Sequence, residues 1–170
     1  MARGSTIIHA PGKADVKATG QLKLAIDGAP IRYEWSAQAQ KKASGSVDFA
    51  NGTAKTRIDL AGNSPFAQDF TFPSARVAVL DNNLYDHYVL LAQLYDWKAG
   101  GKQQFPVLIP QDMVPGSISV ESLGPQQVES AKYETLRVSS TDLEILLYLD
   151  ASHRLMRMEV PASKVTILRE

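Results

Sequence analysis

The chain has 170 residues, of which 44% are hydrophobic and 21% are charged, a balance typical of a globular domain. Lys plus Arg and Asp plus Glu number 18 each, so the formal net charge is zero and no basic excess indicates nucleic-acid binding. The chain has no cysteine, which excludes disulfides, thiolate zinc sites and thiol catalysis. Its length predicts a single domain over residues 1–170.

Period-two alternation of apolar and polar residues predicts β-hairpins in the first part of the chain. Within residues 16–35 the alternation is interrupted at Asp27-Gly28, which tolerates the backbone angles of a tight turn. Within residues 47–60 it is interrupted at Asn51-Gly52, one of the strongest hairpin signals. Residues 61–74 begin as a predicted loop, because glycine and proline break the pattern.

Short strand patterns also fill the second half of the chain. Pro106 lies inside one of them and cannot donate to a strand ladder, so we expect an edge strand or a bulge there. Five more strands are predicted after residue 116, with one junction at Gly124-Pro125. About ten or eleven strands and one helix predict an all-β fold, in which a curved antiparallel sheet forms a β-roll or half-open barrel around the helix.

The stretch LDNNLYDHYVLLAQLYDW, residues 80–97, predicts this single α-helix near 83–97. The apolar residues that recur at helical spacing in it are Leu84, Tyr88, Leu91 and Tyr95. Residues 81–83 (Asp81, Asn82, Asn83) are predicted to cap its N-terminus, with Asp86 in the first turn. Gly100-Gly101 is predicted to end the helix.

Candidate chemistry is sparse. Asp86 and His87 are adjacent on the predicted helix and point about 100° apart, so we expect no metal site there. No phosphate-binding glycine loop and no dinucleotide fingerprint occur, so no cofactor is expected. No catalytic residue is assigned. The candidate bases of a hydrolase, assembled with a serine and an acid from separate loops, are His87 and His153.

Aromatic residues are the remaining candidates for a function. A half-barrel closed on a helix can leave an apolar interior that accepts a lipid or another small molecule, with His87 at a polar mouth. The same residues can equally fill a solid core. The candidate residues for such a ligand cavity are Trp35, Phe49, Tyr85, His87, Tyr88, Leu91, Tyr95 and Trp97.

Residues 76–170 carry a recognisable order of motifs. A D-x-x-L-Y-x-x-x-x-L helix at 81–90 is followed by a Gly-turned strand pair at 100–109 and the ending LEILLYLDASHRLMRMEVPASKVTILRE. This order resembles a group of uncharacterised bacterial envelope β-proteins of unknown function, whose sheet wraps a helix in a layout shared with the periplasmic lipoprotein carriers. The resemblance implies an exported protein that handles a lipid or another ligand, and it transfers no site residues.

Residues 1–14 are predicted to be a flexible N-terminal segment. Its first residues, MARGS, lack an apolar stretch and do not form a signal peptide; we expect them to be an added leader. No apolar run reaches the roughly 20 residues of a membrane span. The expected location is periplasmic or secreted, with the export signal outside this chain and the cytoplasm as the alternative.

Three functions remain open at this stage. The leading hypothesis is a non-enzymatic exported protein that binds an apolar ligand, a lipid or a partner in the space between the sheet and the helix. The first alternative is a hydrolase of esters or lactones with an unfamiliar Ser/His/acid site. The second is a structural or interaction domain that pairs through an edge strand such as 103–109. The sequence leaves the oligomeric state open.

Overall fold

The computed structural model describes residues 1–8, 15–38, 41–81 and 84–169. The strands are β1 (Ala2–Ile8), β2 (Val16–Leu24), β3 (Pro30–Gln38), β4 (Lys42–Ala50), β5 (Thr53–Leu60), β6 (Phe66–Thr71), β7 (Ala78–Val79), β8 (Lys102–Ile109), β9 (Val114–Val128), β10 (Ala131–Ser139), β11 (Glu144–Leu149), β12 (Leu155–Val160) and β13 (Val165–Leu168). Within the described ranges there is one α-helix, α1 (His87–Leu94), and one 3-10 turn, η1 (Pro161–Ser163). The predicted all-β class with a single helix is confirmed.

The strands β1 to β6 form an antiparallel meander, sheet A, in which each strand pairs with its neighbour in sequence. The turn between β4 and β5 is Asn51-Gly52, whose φ angles of 51° and 76° are the positive values that this hairpin type requires. The Asp27 carboxylate accepts a hydrogen bond from the backbone of Ala29 at 3.1 Å in the turn before β3. Both predicted hairpin turns are confirmed.

Side chains alternate between the two faces of sheet A. The inner face is defined by its buried members, which are Ala18, Leu22, Tyr33, Trp35, Val47, Ala54, Thr56 and Phe70. The outer face carries the charged side chains of strands β2 to β5, such as Lys17, Arg32, Glu34, Asp48 and Arg57. Because residues opposite each other in register share a face, each strand contributes every second residue to the inner face.

Two segments of sheet A differ from the sequence predictions. Residues Ala2–Ile8, predicted as part of a flexible segment, pair with β2 at seven register positions from Ala2↔Leu22 to Ile8↔Val16. The rest of that predicted segment, 9–14, lies outside the described residues. In the predicted loop 61–74, residues 66–71 form β6 against β5. These short polar stretches are stabilised as strands by pairing with a neighbouring strand. The alternation of apolar and polar residues within them does not predict that pairing.

The strands of the second sheet, sheet B, follow the order β13-β12-β11-β10-β9-β8-β7. The five strands predicted after residue 116 are confirmed as β9 to β13. Residues 103–109 were expected to form an edge strand. This expectation is wrong at Val107 and Leu108, because β7 pairs there in parallel with β8, at Ala78↔Val107 and Val79↔Leu108. Pro106 immediately precedes these two paired residues, so its missing N–H falls outside the pairing with β7.

The predicted junction at Gly124-Pro125 lies inside a strand, because β9 continues through it to Val128. Thr135 is opposite Gly124 and Leu136 is opposite Ser122, so Leu123 is an extra residue that forms a β-bulge. Gly124 has a φ of 71°, which the bulge accommodates and which glycine adopts without strain. The chain reverses instead at Glu129, with a φ of 54°.

The helix is shorter at its start than the predicted span 83–97. The backbone N–H of Leu84 donates to Asp81 O at 3.4 Å, and that of His87 donates to Leu84 O at 3.2 Å. These three-residue spacings are successive turns, so α1 begins at His87 and Asp86 lies just before it. The carboxylate of Asp81 accepts hydrogen bonds from Tyr33 and Gln111. Asn82 and Asn83 lie outside the described residues, and the predicted N-terminal cap stays a prediction.

The helix also ends early, because two side chains take the backbone groups that would extend it. The N–H of Asp96 donates to Gln103 Oε1 at 2.9 Å instead of to the carbonyl of Ala92. That carbonyl accepts the indole N–H of Trp97 at 3.2 Å. Gly100-Gly101, predicted to end the helix, has φ angles of 61° and 64° and turns the chain into β8.

The contacts of the chain group into two compact units. Unit 1 contains residues 1–87 and 106–116, and unit 2 contains residues 88–105 and 117–170. The single domain expected from length stays a prediction. Among the described residues, no helix combines the length and the apolar character needed to cross a membrane.

Candidate functional site

Glycines on three strands of sheet A lie side by side on its inner face. Gly4 is opposite Gly20, Gly20 is opposite Trp35, and Trp35 is opposite Gly45. Trp35 is therefore the one side chain among these four positions. A row of this kind leaves space directly above the backbone, which larger side chains from elsewhere can occupy.

That space is filled in unit 1. The indole of Trp35 lies over Gly45, with Nε1 2.6 Å from the point where a β-carbon on Gly45 would stand. Leu84 Cδ1 lies 2.8 Å from the corresponding point on Gly20, and the carboxylate of Asp86 occupies that point on Gly4. A β-carbon at any of the three glycines would force a neighbour to move, and the constraint is strictest at Gly45, where the backbone oxygen of Arg57 also lies 2.8 Å from that point.

Beside the indole, the inner face has an apolar region that is incompletely covered. We call this region the apolar corner; its members are Ala37, Ala43, Ile58, Leu60 and Phe66. They are neighbours across strands, since Ala37 is opposite Ala43, Ala43 is opposite Leu60, and Ile58 is opposite Phe66. The two large end members are 47% exposed at Leu60 and 57% exposed at Phe66, while Ile58 is half-buried.

Two buried polar atoms on the same face have no hydrogen-bond partner among the described residues. They are the indole Nε1 of Trp35, a residue that is 6% exposed, and Oγ1 of Thr56, a residue that is 2% exposed. Gly45, beneath the indole, is opposite Ile58, and Thr56 is two residues away from Ile58 on β5. In the register of the sheet, both atoms therefore belong to positions next to Ile58 of the apolar corner.

A second group of polar residues is buried and joined by hydrogen bonds. The Tyr33 hydroxyl donates to Asp81 Oδ2 at 2.7 Å, and the backbone N–H of Gln111 donates to Asp81 Oδ1 at 3.0 Å. The backbone N–H of Asp81 donates to His87 Nδ1 at 3.1 Å. The rings of Tyr33 and His87 meet edge to face, with centroids 5.3 Å apart. This cluster fixes the chain before α1 onto β3.

Burial dominates the electrostatics of this cluster. It raises the pKa of Tyr33 far above its usual value, and the neighbouring Asp81 carboxylate adds to that effect. Burial also lowers the pKa of His87, while the charge of Asp86 acts in the opposite direction. A neutral His87 that accepts at Nδ1 carries its proton on Nε2. The residue expected at a cavity mouth is instead 2% exposed.

Within the described residues, the two candidate histidines contact other groups than a serine hydroxyl. In the portions of the chain described, no serine hydroxyl bonds to His87 or His153. The exposed His153 lies in the turn before β12 and stacks on Trp97, with ring centroids 3.8 Å apart and planes 5° from parallel. The structure thus provides a packing role for both histidines. Across residues 1–8, 15–38, 41–81 and 84–169, no group of three His, Asp or Glu side chains could hold a metal.

The eight cavity candidates are divided between the units. Unit 1 contains Trp35, Phe49, Tyr85 and His87, and unit 2 contains Tyr88, Leu91, Tyr95 and Trp97. Phe49 is half-buried on β4, and Tyr85 is 37% exposed. The interior of unit 2 buries Leu91 and leaves Tyr88 half-buried. That these eight residues line a ligand cavity stays a prediction.

Tyr95 and Trp97 contribute to a bonded aromatic cluster in unit 2. Their rings meet edge to face with centroids 5.0 Å apart. The Tyr95 hydroxyl donates to Gly101 O at 2.7 Å and accepts from the backbone N–H of Ser122 at 3.3 Å. These hydrogen bonds and the stacked His153 hold the two aromatic side chains in place within unit 2.

Sequence reasoning missed the apolar corner, although part of the signal was available. Because the Asn51-Gly52 turn fixes the register of β4 and β5, the pairs Gly45–Ile58 and Ala43–Leu60 follow by counting outward from the turn. Nothing in the alternation shows that Leu60 remains exposed. The unpaired indole of Trp35 also depends on its rotamer over Gly45, which the sequence does not specify.

Strands β1 to β3 of sheet A border an open depression of about 370 Å³. Its lining residues are Arg3, Gly4, Thr19, Gly20, Gln21, Glu34, Trp35 and Ser36. The side chains of Thr19 and Ser36 are hydrogen-bonded to each other at 2.9 Å. Mixed charges and paired hydroxyls of this kind are typical of a solvated sheet face.

No family model matches the chain, and no curated protein matches it. The chain is similar to the crystal structure of a β-barrel-like protein of domain of unknown function DUF1849 from Brucella abortus. The sequences are 12% identical, the TM-score is 0.58, and the match covers 96% of this chain and 75% of that chain. At this identity the likeness shows the fold, which is β-barrel-like. It agrees with the resemblance to uncharacterised bacterial β-proteins, while the layout of the lipoprotein carriers stays a prediction.

Proposed function

We propose that this protein is a non-enzymatic binding protein that holds an apolar small molecule or a lipid chain against the apolar corner. The observation that carries the proposal is the exposure of Leu60 and Phe66, at 47% and 57%, beside the half-buried Ile58. Adjoining apolar side chains left open to solvent mark binding surfaces more often than isolated ones do.

The character of the inner face supports an apolar ligand. Over the described parts of β2 to β6, the register assigns every charged side chain to the outer face. Ala37 and Ala43 add little height above the backbone, so the corner is lower there than at Leu60 and Phe66. A hydrocarbon chain laid on this surface would exclude water from those two side chains, at roughly 25 cal/mol for each Å² covered.

An exported location, periplasmic or secreted, is part of the proposal. The absence of cysteine is compatible with it, and the resemblance to bacterial envelope proteins favours it. Immunodetection in cell fractions of the source organism would test it. Recovery of the protein with a cytoplasmic marker enzyme would overturn this part of the proposal and leave the binding proposal standing.

Binding can be measured with N-phenyl-1-naphthylamine, a neutral dye that fluoresces in apolar surroundings. We expect the wild-type protein to bind the dye and tetradecane to displace it. The variant Leu60→Ser/Phe66→Ser should bind at least about 10-fold more weakly, since two apolar contacts of order 1 kcal/mol each are lost. Both residues are exposed, so the variant should fold normally.

A matched control is provided by two exposed apolar residues of β13. Val165 and Leu168 are 37% and 63% exposed, comparable with the pair in the apolar corner. The variant Val165→Ser/Leu168→Ser should bind the dye as the wild-type protein does. Equal loss in both variants, or a wild-type protein that binds no dye, would contradict the proposal.

A further inference from the structure

We infer that the ligand of the apolar corner carries a neutral carbonyl group, as an ester or an amide of an acyl chain does. Its oxygen accepts a hydrogen bond from Nε1 of Trp35, while the chain covers Leu60 and Phe66. This inference rests on the proposed function and names the class of ligand for that same site.

The first argument is the unpaired indole nitrogen. Nε1 of Trp35 is a hydrogen-bond donor and cannot accept, so only an acceptor atom can satisfy it. It is buried and has no partner within the part of the chain that the structure describes, although the carbonyl oxygen of Arg57 lies 2.8 Å from the same point above Gly45. Unpaired buried donors are rare because they lose their hydrogen bond to water without replacement. An acceptor brought by the ligand would supply the missing bond.

The second argument is the unpaired hydroxyl of Thr56. It lies on the inner face of β5, diagonally across from Gly45, at a spacing typical of about 7–8 Å between such positions. Two unpaired polar atoms at one border of an apolar surface fit a ligand with a polar group at the end of an apolar chain. An ester or an amide group has both a carbonyl oxygen for Trp35 and a second heteroatom within reach of Thr56.

The charge of the surroundings selects a neutral polar group. The inner-face positions of β3 to β6 in the described ranges carry no Lys or Arg. Arg57, which follows Thr56 in sequence, is on the outer face. A carboxylate or a phosphate buried beside the indole would therefore lack a counter-ion. A neutral carbonyl needs only the hydrogen bonds that Trp35 and Thr56 offer.

The test compares methyl laurate with tetradecane as competitors of N-phenyl-1-naphthylamine. In Trp35→Phe, which keeps an aromatic ring but has no donor, methyl laurate should bind about 3- to 10-fold more weakly, the factor that one neutral hydrogen bond supplies. Tetradecane should bind as it does to the wild-type protein. Equal effects on both competitors, or no effect on either, would overturn the inference.

A second pair of variants tests the hydroxyl. Thr56→Val should weaken methyl laurate selectively, by a similar factor. Thr135→Val is the matched control, because Thr135 is also a buried threonine with an unpaired Oγ1, and it lies in unit 2. Selective weakening in Thr135→Val as well would show that the effect is not specific to the site and would overturn this part of the inference.

A direct readout comes from the two indole N–H signals in nitrogen-15 NMR spectra. Methyl laurate should move the Trp35 signal downfield, as a new hydrogen bond does, and leave the Trp97 signal unchanged. Trp97 is an internal control, because its Nε1 already donates to Ala92 O. If methyl laurate and tetradecane both displace the dye but the Trp35 signal stays in place, the inference fails and the proposed function survives. If neither displaces it, both fail.

Discussion

Tyr33 and Asp81 are joined by a buried hydrogen bond of 2.7 Å, although 48 positions of sequence separate them. The bond links the middle of β3 to the segment that leads into α1. The same carboxylate accepts the backbone N–H of Gln111, so a single acidic side chain connects three parts of unit 1. A buried carboxylate depends on such donors, because it has lost its water.

Tyr33→Phe should therefore destabilise the fold without changing its shape. Removing the hydroxyl leaves Asp81 with one fewer donor, and we expect the free energy of unfolding to fall by about 1.5–3 kcal/mol in urea denaturation at pH 7. Tyr133→Phe is a suitable control, because Tyr133 is half-buried and contacts Tyr148 through its ring. A loss as large in the control would show that ring substitution itself is responsible.

His87 should make the protein less stable in mild acid. The charge of Asp86 acts on it, the backbone N–H of Asp81 donates to its Nδ1, and Tyr33 contacts its ring. Burial lowers its folded-state pKa below the usual 6.5, so the unfolded chain binds the proton first as pH falls. The free energy of unfolding should thus decrease between pH 7.5 and pH 5.5, by up to about 1.4 kcal/mol from this group.

The variant His87→Asn tests the assignment, since its side-chain oxygen can still accept the Asp81 N–H. Urea denaturation at both pH values should show a smaller decrease for His87→Asn than for the wild-type protein. Gly45→Ala keeps the histidine and should keep the full decrease, which controls for lower stability alone. An unchanged decrease in His87→Asn would assign the acid sensitivity to other groups.

Trp35 and Gly45 should be energetically coupled. Gly45→Ala places a β-carbon 2.6 Å from the indole Nε1 and should cost about 1–3 kcal/mol in the free energy of unfolding. In a Trp35→Leu background the same change should cost less, and the cycle should give a coupling energy of about 0.5–3 kcal/mol. Gly116→Ala, where the nearest atom is Val107 Cγ1 at 3.2 Å, should cost less than Gly45→Ala. Additive effects at 35 and 45 would contradict the packing described for the pair.

The stacked pair in unit 2 should contribute measurably to stability. His153→Asn removes the ring that stacks on Trp97 and keeps a residue that tolerates the φ of 57° at this position. We expect a loss of about 0.5–1.5 kcal/mol by urea denaturation, the usual size of an aromatic pair. The loss should shrink in a Trp97→Leu background; the same loss in both backgrounds would mean that stacking is not its cause.

The turns of the first hairpins could be predicted from sequence because their cause is local. Asn51-Gly52 takes two positive φ angles, which few other residue pairs adopt easily. The ends of α1 could not be predicted this way. Asp81 has a good capping side chain, yet Tyr33 and Gln111 bind it. Partners distant in sequence override a local preference when they satisfy a buried group.

The candidate site likewise has some features with a local cause and others that depend on distant parts of the chain. Alternation along β3 to β5 is enough to place Trp35, Ile58 and Leu60 on one face of the sheet. It does not show which of them stay exposed, because exposure depends on what the rest of the chain covers. The unpaired state of the Trp35 nitrogen is still harder to predict from sequence, because it depends on the positions of all the acceptor atoms around it.

The division of the chain into units also has a consequence for synthesis. Unit 1 is completed by residues 106–116, which supply Val107 and Leu108 as partners for β7 and Gln111 as a donor to Asp81. Residues 88–105, which belong to unit 2, are made before that segment. During translation we therefore expect unit 1 to be completed only after residue 116 has left the ribosome.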